Sequence, residues 1–272
     1  MSEIRGGLPA GGIGLGPEEY AEFISKEYLG DYVRTGGAAV RFVVTGSDEV
    51  AQRWHRSLAT VADAEGYLCV GVDAADHRVH LIDQLFAAVA RQVDWRDVAR
   101  RQVRAGWESL GLSPRVPDEL AVATVAAHHD VAVPEAARSM RRYLEATLLR
   151  DPSLDREFRL AVLRLCQCEL GTGDVLDAER DAVLAWLRVE PVALRMLKSA
   201  SLYGRVARHN ARSLLVSLAA WRARVTGSGL VLDIDLSRLA VESSAQSEVV
   251  AGACMALATT VFTPSAASFA AT

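Results

Sequence analysis

Three short segments that are almost wholly apolar place the strongest constraint on how this chain can fold. They are AAVRFVV (38–44), YLCVGVDA (67–74) and LVLDI (230–234). Apolar runs of this length, without polar alternation, are typical of strands buried on both faces of a parallel sheet. A helical pattern, DEVAQRWHRSLATVADAEG, joins the first segment to the second, so the sequence predicts a strand–helix–strand unit.

A long helical region separates the second segment from the third. From about Leu81 to Val225 the apolar residues recur with helical period, and Pro and Gly separate the predicted helices. A further helix is predicted from Pro17 to about Arg34, with acidic residues in its first turn. This order predicts an α/β fold, in which a P-loop NTPase-like parallel sheet carries a large all-helical insertion.

Three regions follow from this order. Residues 1–80 form a Gly-rich N-terminal loop, a helix and the first strand–helix–strand unit. Residues 81–205 form the helical insertion. Residues 206–272 return to the core through the third apolar segment, whose end is acidic, and finish in an uncharged tail.

The turn after the first segment has the position of a phosphate-binding loop but lacks its residues. The working pattern is G-x-x-x-x-G-K-[ST], in which lysine bridges the outer phosphates and the hydroxyl group binds magnesium. Counted from the end of the strand, Ala51 and Gln52 stand in the lysine and hydroxyl positions, and a register one residue later puts Gln52 and Arg53 there. Asp48 and Glu49 would also repel a triphosphate.

A metal-binding acid at the end of the third segment is the second element of such a site. Asp235 fits that position best, with Asp233 as the alternative, but Leu236 replaces the glutamate that commonly follows. Two acids at a strand end are equally typical of a cap on the next helix. The candidate nucleotide-site positions, interpreted as degenerate and non-functional, are Gly46, Ser47, Ala51, Gln52 and Asp235.

The stretches GGLPAGGIGLGPEEYAEFISKEYLGDYVRTGGAAVRFVVTG, EGYLCVGVDA and RHNARSLLVSLAAWRARVTGSGLVLDID resemble a known family. Their order over residues 5–240 is similar to that of the ATP-binding domain proteins of BREX-type phage-defence systems and their actinobacterial relatives, which are AAA-like P-loop ATPases. The Arg-rich basic residues, with only Lys26 and Lys198 as lysines, match an actinobacterial type of composition. The family lysine falls on Ala51 and its hydroxyl residue on Gln52, and only Asp235 matches, so the resemblance implies a pseudo-ATPase.

Two classes of function compete on this evidence. The first is a catalytically inactive subunit without a cofactor, which regulates, assists or scaffolds a partner through protein–protein contacts or self-association. The second is an ATPase or ATP-binding protein that uses magnesium and an unorthodox phosphate site, with Arg53 or Arg56 in place of lysine. A DNA-associated role in defence or regulation is implied by the family alone, and a net charge of -4 gives no bulk attraction to nucleic acid.

The remaining features favour a cytoplasmic protein without a metal site. The four scattered cysteines indicate reduced thiols, and the N-terminal residues lack the apolar core of a signal peptide. No Cys or His cluster at regular spacing adds the further ligands that a zinc site would need beside the pairs His77/His80 and His128/His129. The strongest apolar run of the uncharged tail, VVAGACMALATTVF, has only 14 residues, which is short for a membrane span, and it is rather weakly apolar. The tail, 249–272, is instead expected to be buried in the sheet or against another chain.

Overall fold

The structure, a computed structural model, describes residues 15–237. The predictions for the first 14 residues and for the tail, 249–272, lie outside this range. The helices are α1 (Pro17–Ile24), α2 (Asp48–Ala64), α3 (Ile82–Gln92), α4 (Trp95–Ser109), α5 (Val122–His128), α6 (Val133–Leu144), α7 (Arg156–Glu169), α8 (Asp177–Leu187), α9 (Leu194–Leu197) and α10 (Arg208–Thr226), and the strands are β1 (Leu68–Asp73) and β2 (Leu230–Asp235). π-Helical turns, Ser25–Leu29 and Glu145–Leu149, extend α1 and α6.

Polar residues at the helix ends explain where several helices begin and stop. Ser47, Asp94 and Asp155 precede α2, α4 and α7, and each side chain accepts a backbone N–H from the first turn of its helix. The first helix begins at Pro17, as predicted, because a proline at this position loses no helical hydrogen bond. Gly227 ends α10 in the left-handed conformation, with φ of 74°, which a residue with a Cβ adopts at a cost.

The two strands form a parallel pair, which confirms the strands predicted from the second and third apolar segments. The register pairs Leu68 with Leu230 and Asp73 with Asp235. Side chains alternate between the two faces of the sheet, so Val70 and Val72 enter a large core while Cys69 packs against a smaller one. The sheet therefore separates two hydrophobic clusters.

The large core is built by helices α3 to α10 and by one face of the sheet. Helix α3 is buried on all sides from Leu85 to Ala90, as expected for a helix at the centre of a bundle. The rings of Trp95, Phe158 and Trp221 pack together within it with centroids 5.8–6.5 Å apart. The indole N–H of Trp221 donates to Gln102 Oε1 at 3.1 Å, so this buried polar pair is satisfied.

The small core lies on the other face of the sheet, between α1, its π-helical turn and α2. Its buried members include Ile24, Trp54 and Leu58, together with Tyr67, which leads into β1. The Tyr67 hydroxyl donates to the carbonyl of Leu29 at 2.8 Å, where the π-helical turn ends, earlier than the helix end predicted near residue 34. This contact fixes the first helix against the start of β1.

The prediction of a P-loop NTPase-like parallel sheet is wrong. The described chain is mostly helical, and its one sheet contains only β1 and β2. The first apolar segment, 38–44, belongs to neither a helix nor a strand, and it is largely exposed. Its sequence has the composition of a strand, but a strand also needs backbone hydrogen bonds to a neighbouring strand, and the described residues supply no such strand beside it.

Candidate functional site

The predicted phosphate-loop positions lie at the start of α2. Ser47 is the residue before the helix, and its hydroxyl accepts the backbone N–H of Val50 at 3.3 Å. Gly46 and Gln52 are exposed, whereas Ala51 is buried. Ser47 thus takes up one of the N–H groups that a phosphate would need, which is the ordinary role of a helix-capping serine.

The strand-end acids reach the same helix through a residue that sequence reasoning missed. His55 Nδ1 lies 2.5 Å from Asp233 Oδ2, and His55 Nε2 lies 3.6 Å from Asp235 Oδ2. The alternation along β2 turns both acids toward α2, and α2 runs back along the sheet so that its first turns lie beside the ends of the strands. A histidine four residues after Ala51 carries no signal of this contact in the sequence.

The neighbouring groups set the charge of this cluster. Burial by itself would raise the pKa of Asp235, but hydrogen bonds from Ser237 and the proximity of His55 outweigh it and hold that pKa below its usual value. On the same face of the sheet, burial, with a smaller effect of the Asp233 charge, raises the pKa of the Cys69 thiol to about 11. Cys69 is therefore protonated at neutral pH and is a poor nucleophile.

The geometry of the cluster suits a structural link better than chemistry on a phosphate. Both ring nitrogens of His55 face carboxylates, so neither is directed at a substrate. Asp48 and Glu49, in the first turn of α2, add negative charge near the same end of the helix. A polyphosphate placed there would meet four carboxylates and one imidazole, which is unfavourable in a partly desolvated site.

The arginines proposed as lysine substitutes are directed elsewhere. Arg53 makes a two-pronged contact with Glu18 on α1, with nitrogen–oxygen distances of 3.1 and 2.8 Å. The hydrogen bond from Arg53 holds the pKa of Glu18 below its usual value. Arg56 donates to the Gln52 carbonyl at 3.3 Å and lines an open surface groove of about 460 Å³ between α1 and α2, which also contains Glu18 and Glu22.

Of the histidines considered as metal ligands, His129 uses its ring and His128 its backbone carbonyl in contacts with other residues. His129 Nε2 lies 2.8 Å from the carbonyl oxygen of Ser113, and the carbonyl of His128 accepts a hydrogen bond from Arg115. Within residues 15–237, no three Cys, His, Asp or Glu side chains converge in a way that could hold a metal ion.

Comparison of the chain with protein-family models, curated proteins and solved structures finds no match. The resemblance to BREX-type ATP-binding proteins therefore stays a prediction. Of the helices that the structure describes, none combines the length and the apolar character needed to cross a membrane. The described cysteines, Cys69, Cys166 and Cys168, are free thiols.

An aromatic surface is the second feature that sequence reasoning missed. We use the name aromatic strip for Tyr20, Phe23, Tyr28 and Tyr32, which follow one another along α1 and its continuation. Their neighbouring rings have centroids 5.8, 6.1 and 6.3 Å apart. Phe23 and Tyr32 are 42% and 49% exposed. The spacing of three, five and four residues is close to helical period and could have revealed the strip.

The first apolar segment lies against this aromatic strip. The guanidinium of Arg41 is 4.4 Å from the ring centroid of Tyr28, and the Tyr32 hydroxyl donates to the Ala38 carbonyl at 3.5 Å. Phe42 and Val44 nevertheless remain 68% and 97% exposed. The strip and the segment together form one apolar surface on the N-terminal part of the described chain.

Proposed function

We propose that the protein acts through protein–protein contacts, as a non-catalytic accessory, regulatory or scaffolding subunit of the cytoplasm. The observation that carries this proposal is the exposed apolar surface formed by the aromatic strip and segment 38–44. Isolated exposed apolar residues are common, but a contiguous group of aromatic and β-branched side chains is typical of an interaction site.

The chemistry of this surface suits a protein partner. Aromatic residues and arginine are the types most enriched at the centres of protein interfaces, because they bury much area with few rotatable bonds. Arg41, stacked on Tyr28, presents a cation beside this apolar group. The aromatic strip packs on the small core, which includes Trp54 and Ile24, so its side chains are already ordered and lose little conformational entropy when a partner binds.

A cofactor-independent mode of action agrees with the cluster at the end of β2. The side chains that meet there, His55, Asp233 and Asp235, contact one another rather than an open cavity. We expect the full-length protein to bind magnesium–ATP no more tightly than about 1 mM, which corresponds to about 4 kcal/mol of binding free energy. Calorimetry with magnesium–ATP checks this, and a micromolar affinity or measurable hydrolysis would contradict the proposed function.

Recovery of the partner from the native host tests the contact surface itself. The purified full-length protein is used to capture partners from host extract, in parallel with Phe42→Asp and with Leu176→Asp. Leu176 is the matched control, because it is 71% exposed and precedes α8, on the helical part of the chain. We expect a partner captured by the wild type to be retained by Leu176→Asp and lost with Phe42→Asp. A partner retained equally by all three proteins would refute the proposed surface.

A further inference from the structure

We propose that segment 38–44 is a donated strand, which pairs with the free edge of β2 in a second copy of this chain. The inference rests on the proposed function and names its partner and mode of contact. It begins from two features of the described chain: a strand-forming segment that pairs with no strand, and a two-stranded sheet in which β1 and β2 each have a neighbouring strand on one side only.

The free edge of β2 is defined by the hydrogen bonds of the sheet. Leu68 N donates to Gly229 O at 3.3 Å, and Ala74 N donates to Asp235 O at 2.9 Å. Successive residues of a parallel strand direct their N–H and C=O groups to opposite sides. The backbone groups of Leu232 and of its neighbours two residues away therefore point away from β1, toward the side where the described chain supplies no strand. An unpaired edge of this kind is a template for another strand.

The donated segment and this edge match in length, apolar pattern and charge. Aligning Arg41 with Asp233 in a parallel pair places Val40 beside Leu232 and Phe42 beside Ile234. Opposite residues of a parallel pair share a face, so the four apolar side chains extend the face of the sheet that covers the large core. The single cation of the segment then lies on the same face as Asp233 and near Asp235, to which it is electrostatically complementary.

Glycines at both ends give the segment freedom to leave its present position. Gly36 and Gly37 precede it and Gly46 follows it, and Gly36 has φ of 98°. A Cβ added at Gly36 or Gly46 would meet no atom within 4 Å, so neither glycine is required there by close packing. Flexible joints around an exposed strand are the usual basis of strand exchange between copies.

A second copy of this chain is favoured over an unrelated partner as the recipient of the strand, because two identical copies can each donate a strand to the other. Each copy carries both the segment and the edge, so a two-fold pair satisfies two edges and buries two copies of Phe42 and Val44. In the described chain the segment contacts the aromatic strip instead, where its Arg41 lies over the ring of Tyr28. A rotation about its glycines is needed before it can meet any β2 edge.

Light scattering and hydrogen exchange on the full-length protein test this inference. We expect a dimer, with the amides of segment 38–44 and of the outer edge of β2 protected together. Val44→Asp is the informative variant: Val44 is 97% exposed in one copy, so its replacement leaves the isolated fold intact. Val44→Asp should weaken dimerisation at least about tenfold, or about 1.4 kcal/mol. It should also speed up hydrogen exchange at the amides of segment 38–44 and of the outer edge of β2. Val116→Asp, at an exposed valine of the loop before α5, is the matched control and should change neither.

Three results would overturn strand exchange. The first is a monomer in which segment 38–44 is protected, because the edge is then occupied within one chain. The second is a monomer in which only the β2 edge is protected and truncation after residue 248 removes that protection, because the tail is then the occupant. The third is a dimer that Val44→Asp does not weaken. If the protein is monomeric and Phe42→Asp still abolishes capture of a host partner, exchange fails but the proposed contact function stands.

Discussion

Replacing His55 tests whether the link between α2 and the end of β2 stabilises the fold. The side chain of Asp233 is only 11% exposed and lies 2.5 Å from His55 Nδ1, with Asp235 on the other side of the ring. His55→Ala removes the group between two carboxylates and leaves Asp233 largely buried without it. Hydrogen bonds to charged groups contribute about 1.5–3 kcal/mol, and His55 is partly exposed, so we expect a loss of about 2 kcal/mol.

The measurement is urea unfolding of the full-length protein at neutral pH, followed by tryptophan fluorescence and far-UV circular dichroism. In thermal unfolding, the same loss of about 2 kcal/mol would lower the melting temperature of a domain of this size by about 4–8 °C. His80→Ala is the matched control, because His80 is exposed, and such substitutions change stability by less than about 0.5 kcal/mol.

A double-mutant cycle isolates the contact from general effects of the substitution. Asp233→Asn alone and in combination with His55→Ala should give a coupling free energy of about 1–2 kcal/mol between the two sites. Equal stability of His55→Ala and His80→Ala, or a coupling near zero, would refute the reasoning, because the close contact would then contribute nothing.

Three other predictions follow from the same structure. Folding lowers the pKa of Asp235, so its contribution to the free energy of unfolding is complete above its ordinary pKa near 4 and is lost as pH falls through the folded value. In urea unfolding at decreasing pH, the free energy of unfolding should therefore fall less in Asp235→Asn than in the wild type. Gly106→Ala should destabilise the protein by about 1–3 kcal/mol in urea unfolding, although alanine favours helix, because its Cβ would lie 2.8 Å from the Tyr143 ring; a gain in stability would contradict this. Cys69 and Cys168, whose pKa values burial raises to about 11, should react with iodoacetamide at neutral pH far more slowly than free cysteine, and labelling at the free-thiol rate would show that they are not shielded.

The candidate site shows which features a sequence pattern does not reveal. The predicted positions Ser47 and Ala51 lie at the start of α2, where the helical pattern placed them, and Asp235 lies at the end of its strand. The contact between helix and strand is made by His55, 178 residues from Asp233 in the chain. Pairings over such separations depend on how elements are oriented in space, which local composition does not encode.

The amino-acid sequence by itself determined the local elements. Apolar runs gave β1 and β2, helical period gave the long central region, and Pro17, Ser47 and Gly227 marked helix ends, because capping and periodicity act within a few residues. Only the tertiary structure decided which strand-forming segments enter a sheet. Segment 38–44 has the same apolar character as β1, yet it lies outside the sheet, because a strand is completed by hydrogen bonds from a neighbour and not by its own residues.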